Sequence, residues 1–432
     1  MRTVIPTLIL SGLLFSCGGD NPADDGELTS EEVNSIINSP LEGDFQNDAE
    51  FKFDPTKPAT FETPNGSSIE IPANAIVDEN GDPVKKKVDL TFTQYHSAAD
   101  LMASGIPMEY DSAGTSNHFE SAGMFSLDAR VKKKKVFLKE GESIKVNLAS
   151  DKNDQMNFYE LDEKTGDWTY DPAPVTPIAN PSFDRSKYPI KPVKRNKNAF
   201  VLDLDFDLSD FDELEAFSGI VWEYSGDHDS LDPRKNPVVS STEWTDFDLE
   251  PTYDEAFEYW LVMNRNRKLT YKTKVKAALQ GEDFENAMAQ YKDKKIEIAA
   301  KRDSLKKPFI RSVEIGGFGT FNCDYIHSMM DPEEMIADFD FGSEDLKARS
   351  AVFVMYPETE VVVNYYQPPY TMFALDKAQP YEILAILPGN KVAAYKGDAT
   401  KSYGKSEFTF KMDIVAEGVQ TKADFERTIA GL

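Results

Sequence analysis

From Ile69 to Ile414, short stretches of alternating apolar and polar side chains recur, and most are closed by glycine, proline, asparagine or aspartate. Successive side chains of a strand point to opposite faces, so this pattern restricts the chain to a β-rich fold with one face of each strand buried. Ile69-Glu70-Ile71 alternates, Val88 to Phe92 alternates again, and Asp78-Glu79-Asn80-Gly81-Asp82-Pro83 between them has the composition of a turn. Val136-Phe137-Leu138, Glu140-Gly141-Glu142 and Ile144 to Leu148 read as a hairpin. Phe158 to Leu161, a turn from Asp162 to Gly166, and Trp168 read as another. Many short strands with turns between them predict antiparallel β-sandwiches.

One long segment breaks the period. From Gly281 to Lys307, Phe284, Met288, Tyr291, Ile298 and Leu305 follow helical spacing until Pro308. Strands then return at Val352–Met355, Val361–Tyr366, Tyr381–Leu387 and Phe408–Ile414, and Thr421–Ile429 reads as a closing helix. The expected fold class is mainly β with a helical insertion, in sandwich domains joined by a proline-rich connector. A chain of 432 residues exceeds one ordinary core. The expected division is a leader at 1–16, an acidic tether at 17–50, a sandwich at 51–170 and a proline-rich linker at 171–197. An α+β segment at 198–310, with a helix at 281–307, and a β-rich domain at 311–432 complete it.

The net charge of -28 restricts partners as firmly as the alternation restricts the fold. A surface this acidic repels nucleic acid and anionic headgroups. Against that background the runs Lys85-Lys86-Lys87 and Lys132-Lys133-Lys134-Lys135 are exceptions. Lysines on edge strands discourage edge-to-edge pairing, and the same side chains suit docking of an acidic partner or glycan.

The amino terminus carries the most specific signal. Arg2 precedes an apolar run from Val4 to Phe15, twelve residues against the ~20 a bilayer-spanning helix needs. It ends Leu14-Phe15-Ser16-Cys17, which resembles the lipobox of bacterial lipoproteins. The resemblance implies cleavage before Cys17, lipid on its thiol, and acylation (palmitate is the usual chain) of its freed amine. Two or three acyl chains hold stably where one is marginal. With Cys17 lipidated, Cys323 is the remaining cysteine and no intramolecular disulfide forms. The acidic residues Asp20, Asp24, Asp25 and Glu27 resemble the surface-export signal of Bacteroidota lipoproteins. That resemblance implies an outer-membrane protein, on the cell surface rather than the periplasmic face.

Gly66-Ser67-Ser68-Ile69-Glu70-Ile71-Pro72-Ala73-Asn74-Ala75-Ile76, followed by Val88-Asp89-Leu90-Thr91-Phe92, resembles the start of a β-sandwich module of ankyrins, netrin receptors and tight-junction scaffolds. It implies binding and scaffolding rather than catalysis. Some relatives cleave themselves at His-Phe-Ser. Here His118-Phe119-Glu120-Ser121 inserts Glu120 before the hydroxyl that the acyl shift requires.

Sites with a chemical rationale are few. Asp203, Asp205 and Asp207 share one face of an expected strand, while Leu202, Leu204, Phe206 and Leu208 share the other. Adjacent carboxylates repel, and bound calcium relieves this, whereas a solvated acidic face needs no metal. Asp-Phe-Asp recurs at 210–212, 246–248 and 338–340. Asp111-Ser112-Ala113 resembles the Bacteroidota O-glycosylation motif and makes Ser112 a candidate acceptor. Ser304-Leu305-Lys306-Lys307 and Lys164-Thr165-Gly166 imitate penicillin-recognising enzymes in reversed order. Cys323 and His327 fit a buried thiol beside a polar turn better than a zinc site. Tyr365-Tyr366-Gln367-Pro368-Pro369-Tyr370 offers either a sugar platform or core plus turn. The expectation is a non-catalytic, membrane-anchored binding or scaffolding lipoprotein whose partner is the bilayer plus an envelope protein or glycan. The alternative is a glycan hydrolase whose site is assembled from scattered acids and hydroxyls.

Overall fold

The computed structural model describes residues 39–432 except 44, 113–114, 205, 207, 209–210, 212–213, 215–216, 218, 227, 253–256, 267, 300, 328, 358 and 366–369. The chain is mainly β, 44% strand against 16% helix, in several antiparallel sheets with no closed barrel. Five α-helices are described: α1 Ala98–Ser104, α2 Pro237–Ser241, α3 Gly281–Ala299, α4 Glu344–Ala348 and α5 Lys422–Ala430.

The first sheet runs Asp48–Phe53, Val88–Tyr95, Thr115–Val131, Gly319–His327, Met156–Leu161, Trp168–Val175. The second runs Pro177–Ala179, Phe309–Ile315, Ile144–Ser150, Ser68–Ile71, Ala59–Glu62. The alternation read from the sequence explains why they face each other. Leu90, Phe92, Phe125 and Leu127 from one sheet meet Ile69, Ile71, Ile144, Val146, Leu148 and Val313 from the other in one core.

A second sandwich forms from 332 onward. Tyr370–Asp376, Pro332–Asp340 and Glu407–Lys411 make a three-stranded sheet. It packs Phe339, Phe373 and Phe410 against Val352, Val354, Val363 and Ile383 of a five-stranded sheet. That sheet runs Val361–Tyr365, Ala351–Tyr356, Glu382–Leu387, Lys391–Ala394, Asp413–Ala416. Between the two sandwiches lies a third apolar layer. Tyr95, Phe119, Tyr159 and Trp168 on the outer face of the first sheet meet Phe353, Met355, Leu384 and Ile386 across α1 and α5, which contribute Leu101, Met102, Phe425 and Ile429. Leu41 and Phe45 complete that layer, with Phe45 edge-on to Phe425. A separate core gathers Leu214, Trp222, Leu249, Tyr259 and Val275 under the sheet of residues 193–279.

Several expectations need correction. Ile144–Ser150 does not turn back on Val136–Leu138; Phe137–Leu138 pairs with Ile76–Val77 instead. Ile144–Ser150 takes Phe309–Ile315 and Ser68–Ile71 as neighbours, because their matching alternation buries a full row. The boundary expected at 310 does not separate bodies. Phe309–Ile315 and Gly319–His327 complete the first sandwich, the latter inserted between Thr115–Val131 and Met156–Leu161. Nor is 171–197 simply a connector, since Trp168–Val175 crosses Pro172 and Pro174 and Pro177–Ala179 forms a sheet edge, where a missing N–H is tolerated. The insertion helix ends at Ala299, and i→i+3 bonds at Lys301 and Ser304 turn the chain so that Lys307 enters the core. Phe408–Ile414 divides at Met412, Glu407–Lys411 joining one sheet in parallel and Asp413–Ala416 the other. The expected strand from Val201 is described as Val201–Leu202, although Leu202, Leu204, Phe206 and Leu208 do line one core.

Candidate functional site

A small, shallow cleft opens where the two sandwiches meet. Tyr95, His96 and Ser97, Gly123, Asp151 and Lys152, and Glu360 line it. Each is placed by a change in backbone direction. Strand Val88–Tyr95 ends at His96, and Ser97 caps α1 in a reciprocal capping box with Asp100. Gly123 has φ +143 and packs so closely that a Cβ would lie 2.9 Å from Leu148 Cδ2. Glu360 sits at φ +57 in the turn of the five-stranded sheet, and Lys152 Nζ donates to Thr359 O at 2.8 Å across the cleft.

Beneath His96 is a buried polar layer. Asn65 Nδ2 lies 2.9 Å from His96 Nε2 and donates to Gln94 Oε1 at 3.1 Å. Gln94 Oε1 also lies 3.2 Å from His96 Nε2, so the ring nitrogen faces both an amide donor and an amide acceptor. Ser67 Oγ donates to Gln94 Oε1 at 2.6 Å and accepts from Ala149 N at 2.9 Å. Lys307, 1% exposed, ion-pairs with Asp151 Oδ2 at 2.8 Å. Arg311 is wholly buried and donates to Ser150 Oγ, Val175 O and Lys152 O, tying the cleft's 150–152 wall to the second sheet.

A second charged cluster joins α1 to α5. Lys422 Nζ lies 2.7 Å from Asp100 Oδ1 and donates to Asp303 Oδ2 at 2.7 Å, with Glu426 Oε1 at 4.0 Å. Asp100 Oδ2 accepts from the N–H groups of His96 and Ser97. Burial pushes Asp100 upward, but the Lys422 ammonium and the His96 N–H outweigh it and hold the carboxyl below its ordinary value. Burial and repulsion from Asp100 raise Asp303, and the two carboxylates raise Lys422 against its own burial.

The Ser97 hydroxyl accepts from Asp100 N and points its hydrogen toward Glu426 Oε1 at 3.4 Å, while that of Ser67 is spent on Gln94.

The residues singled out from sequence lie elsewhere. Cys17 lies outside the described residues, as do Asp205 and Asp207, while Asp203 is exposed. Asp246 and Asp248 are exposed on the strand Asp246–Pro251, whereas Asp338 pairs with Lys347 in a different sheet. Among the described residues, no group of three or more His, Cys, Asp and Glu side chains is placed to hold a metal. Ser112 ends the strand Glu109–Ser112, opposite Thr115. Cys323 is fully buried, and burial pushes its thiol up to about 12, which removes its reactivity at neutral pH. Phe119, in the His-Phe-Glu-Ser stretch, is buried between Tyr159 and Trp168. Ser304 donates to Lys301 O. Tyr370 is buried, and 366–369 lie outside the described residues.

Sequence reading missed His96, Asp100, Asp303 and Lys422. One signal was present, because Lys422, Phe425, Glu426 and Ile429 share a helical face, which puts two charges on an apolar stripe. No protein-family model matches the chain, and no curated protein and no solved structure matches it.

Proposed function

We propose that the chain is a lipoprotein of the outer membrane, held by lipid on Cys17 and exposed at the cell surface, whose body is a non-catalytic binding and scaffolding module. The anchor half rests on Leu14-Phe15-Ser16-Cys17 after an apolar run too short to span a bilayer. The observation that carries the other half is the commitment of polar groups in the cleft and in the neighbouring charged cluster to holding elements together. Lys152 reaches Thr359, Lys307 holds Asp151, and Lys422 holds Asp100 and Asp303. Stacked sandwiches cross-braced in this way keep a surface rigid, which is what a scaffold contributes. The Gly66–Ile76 motif belongs to this frame, with Ser68–Ile71 paired on both sides and Asn74 at φ +61.

Protease added to whole cells tests the location. The folded body should be released by cuts before residue 39, since described backbone from Asp48 onward is tied into sheets. Digestion only after cell lysis would place the protein on the periplasmic side.

A further inference from the structure

The two lysine runs, far apart in sequence, meet at one end of the first sheet. Asp89 pairs with Arg130, so Lys85, Lys86 and Lys87, which lead into Val88, come beside the turn that follows Val131. That turn is Lys132-Lys133, with Lys132 at φ +59, and it returns as Lys134–Lys135 paired with Val131 and Arg130. All seven lysines are exposed, and among the described residues none forms an ion pair. Carboxylates on the same strands are taken, Asp89 by Lys52 at 2.6 Å and Asp128 by Arg130 at 2.5 Å. Two residues past the run, Phe137 is 48% exposed. A chain of net charge -28 thus carries one concentrated cationic end with an aromatic side chain beside it.

We propose that this end docks a linear anionic polysaccharide. The inference gives a partner class to the binding reading above and rests on it. Screening at physiological salt confines each charge to about 8 Å, so a slender chain lying on the seven lysines feels them and the few acids beside them, such as Asp54 near Lys87, rather than the acidic surface farther off. A flat anionic bilayer would also meet the acidic surface around them. Lysine ammoniums are flexible point charges without arginine's fork, which suits sulfates or carboxylates spaced along a polymer rather than one bidentate group. The Phe137 ring offers an apolar face to sugar carbons. Strand Asp48–Phe53 starts opposite Thr93 and ends opposite Val88. The lysine end is therefore a strand length, about 20 Å, from the start of that strand.

The test uses full-length protein in detergent over immobilised polygalacturonate, dextran sulfate and uncharged dextran. Wild type should bind one or both anionic polymers and not dextran, more weakly as salt rises. Changing Lys132, Lys133, Lys134 and Lys135 to Gln should lower affinity at least tenfold and flatten the salt dependence without moving the melting temperature. Changing Lys85, Lys86 and Lys87 to Gln should act in the same direction. Phe137→Ala should weaken binding and leave the salt dependence as it was. Unchanged binding by both lysine variants overturns the proposal. So does equal or tighter binding to single-stranded DNA or phosphatidylglycerol vesicles, or a lysine effect confined to self-association. Cys17→Ala should bind the polymers as wild type does, so a failure of anchorage and a failure of docking read separately.

Discussion

Lys422 shows how one residue can hold a fold together while leaving almost no trace in the sequence. Its ammonium is shared by Asp100, 3% exposed, and Asp303, which puts two carboxylates on one partly buried cation. Lys422→Met keeps the length of the side chain and strands both acids. Removing one partner of a buried pair costs about 3–5 kcal/mol, so the variant should lose stability of that order at pH 7. The pH dependence follows from the direction of each shift. Asp100 lies below its unfolded value and stabilises above the carboxylate range, a contribution lost as pH falls. Lys422 lies above its unfolded value, and its contribution persists until pH rises through that raised pKa. Asp303 is raised and opposes Asp100, favouring the fold in acid and losing that contribution as pH rises. Without the lysine both acids become costly when ionised, so the gap between variant and wild type should shrink between pH 7 and pH 4. Urea unfolding at the two pH values measures it, and an equal gap at both would contradict the assignment.

Among the elements, the pair Phe309–Ile315 and Gly319–His327 decides the architecture. The first lies between Ile144–Ser150 and Pro177–Ala179, the second between Thr115–Val131 and Met156–Leu161. Both sheets of the first sandwich are therefore split without them. A fragment ending at residue 197 should show no cooperative unfolding, because it leaves Phe125 and Phe158 without Phe321 and opens four strand edges. A fragment that melts sharply would restore the boundary expected from sequence. Strand texture and most strand positions were legible because period-2 alternation is local. Partners were not, since Ile144 to Leu148 fits Val136 to Leu138 as plausibly by spacing as it fits Val313 and Ile315, and register depends on the whole buried face. The same limit hid the cleft: His96 and Glu360 come from different sandwiches, and no spacing links them.

At the scale of the whole molecule, four of the six sheets among the described residues and two helices stack through three apolar layers, and charged pairs lie at the edges of the layers. Mainly β architecture with a helical insertion was read from the pattern and is what the chain adopts. Leu41 and Phe45 pack into the middle of these layers ahead of the first strand. Asn390 clamps that segment, its Oδ1 accepting from Glu42 N at 2.7 Å and its Nδ2 donating to Glu42 O at 2.7 Å and Val419 O at 2.9 Å. Attachment through Cys17 is the claim on which the account turns, and metabolic labelling with an alkyne palmitate analogue tests it most directly. Wild type should incorporate the label and run as the cleaved form, whereas Cys17→Ala should incorporate none and accumulate as unprocessed precursor. Equal labelling of the two would contradict the account.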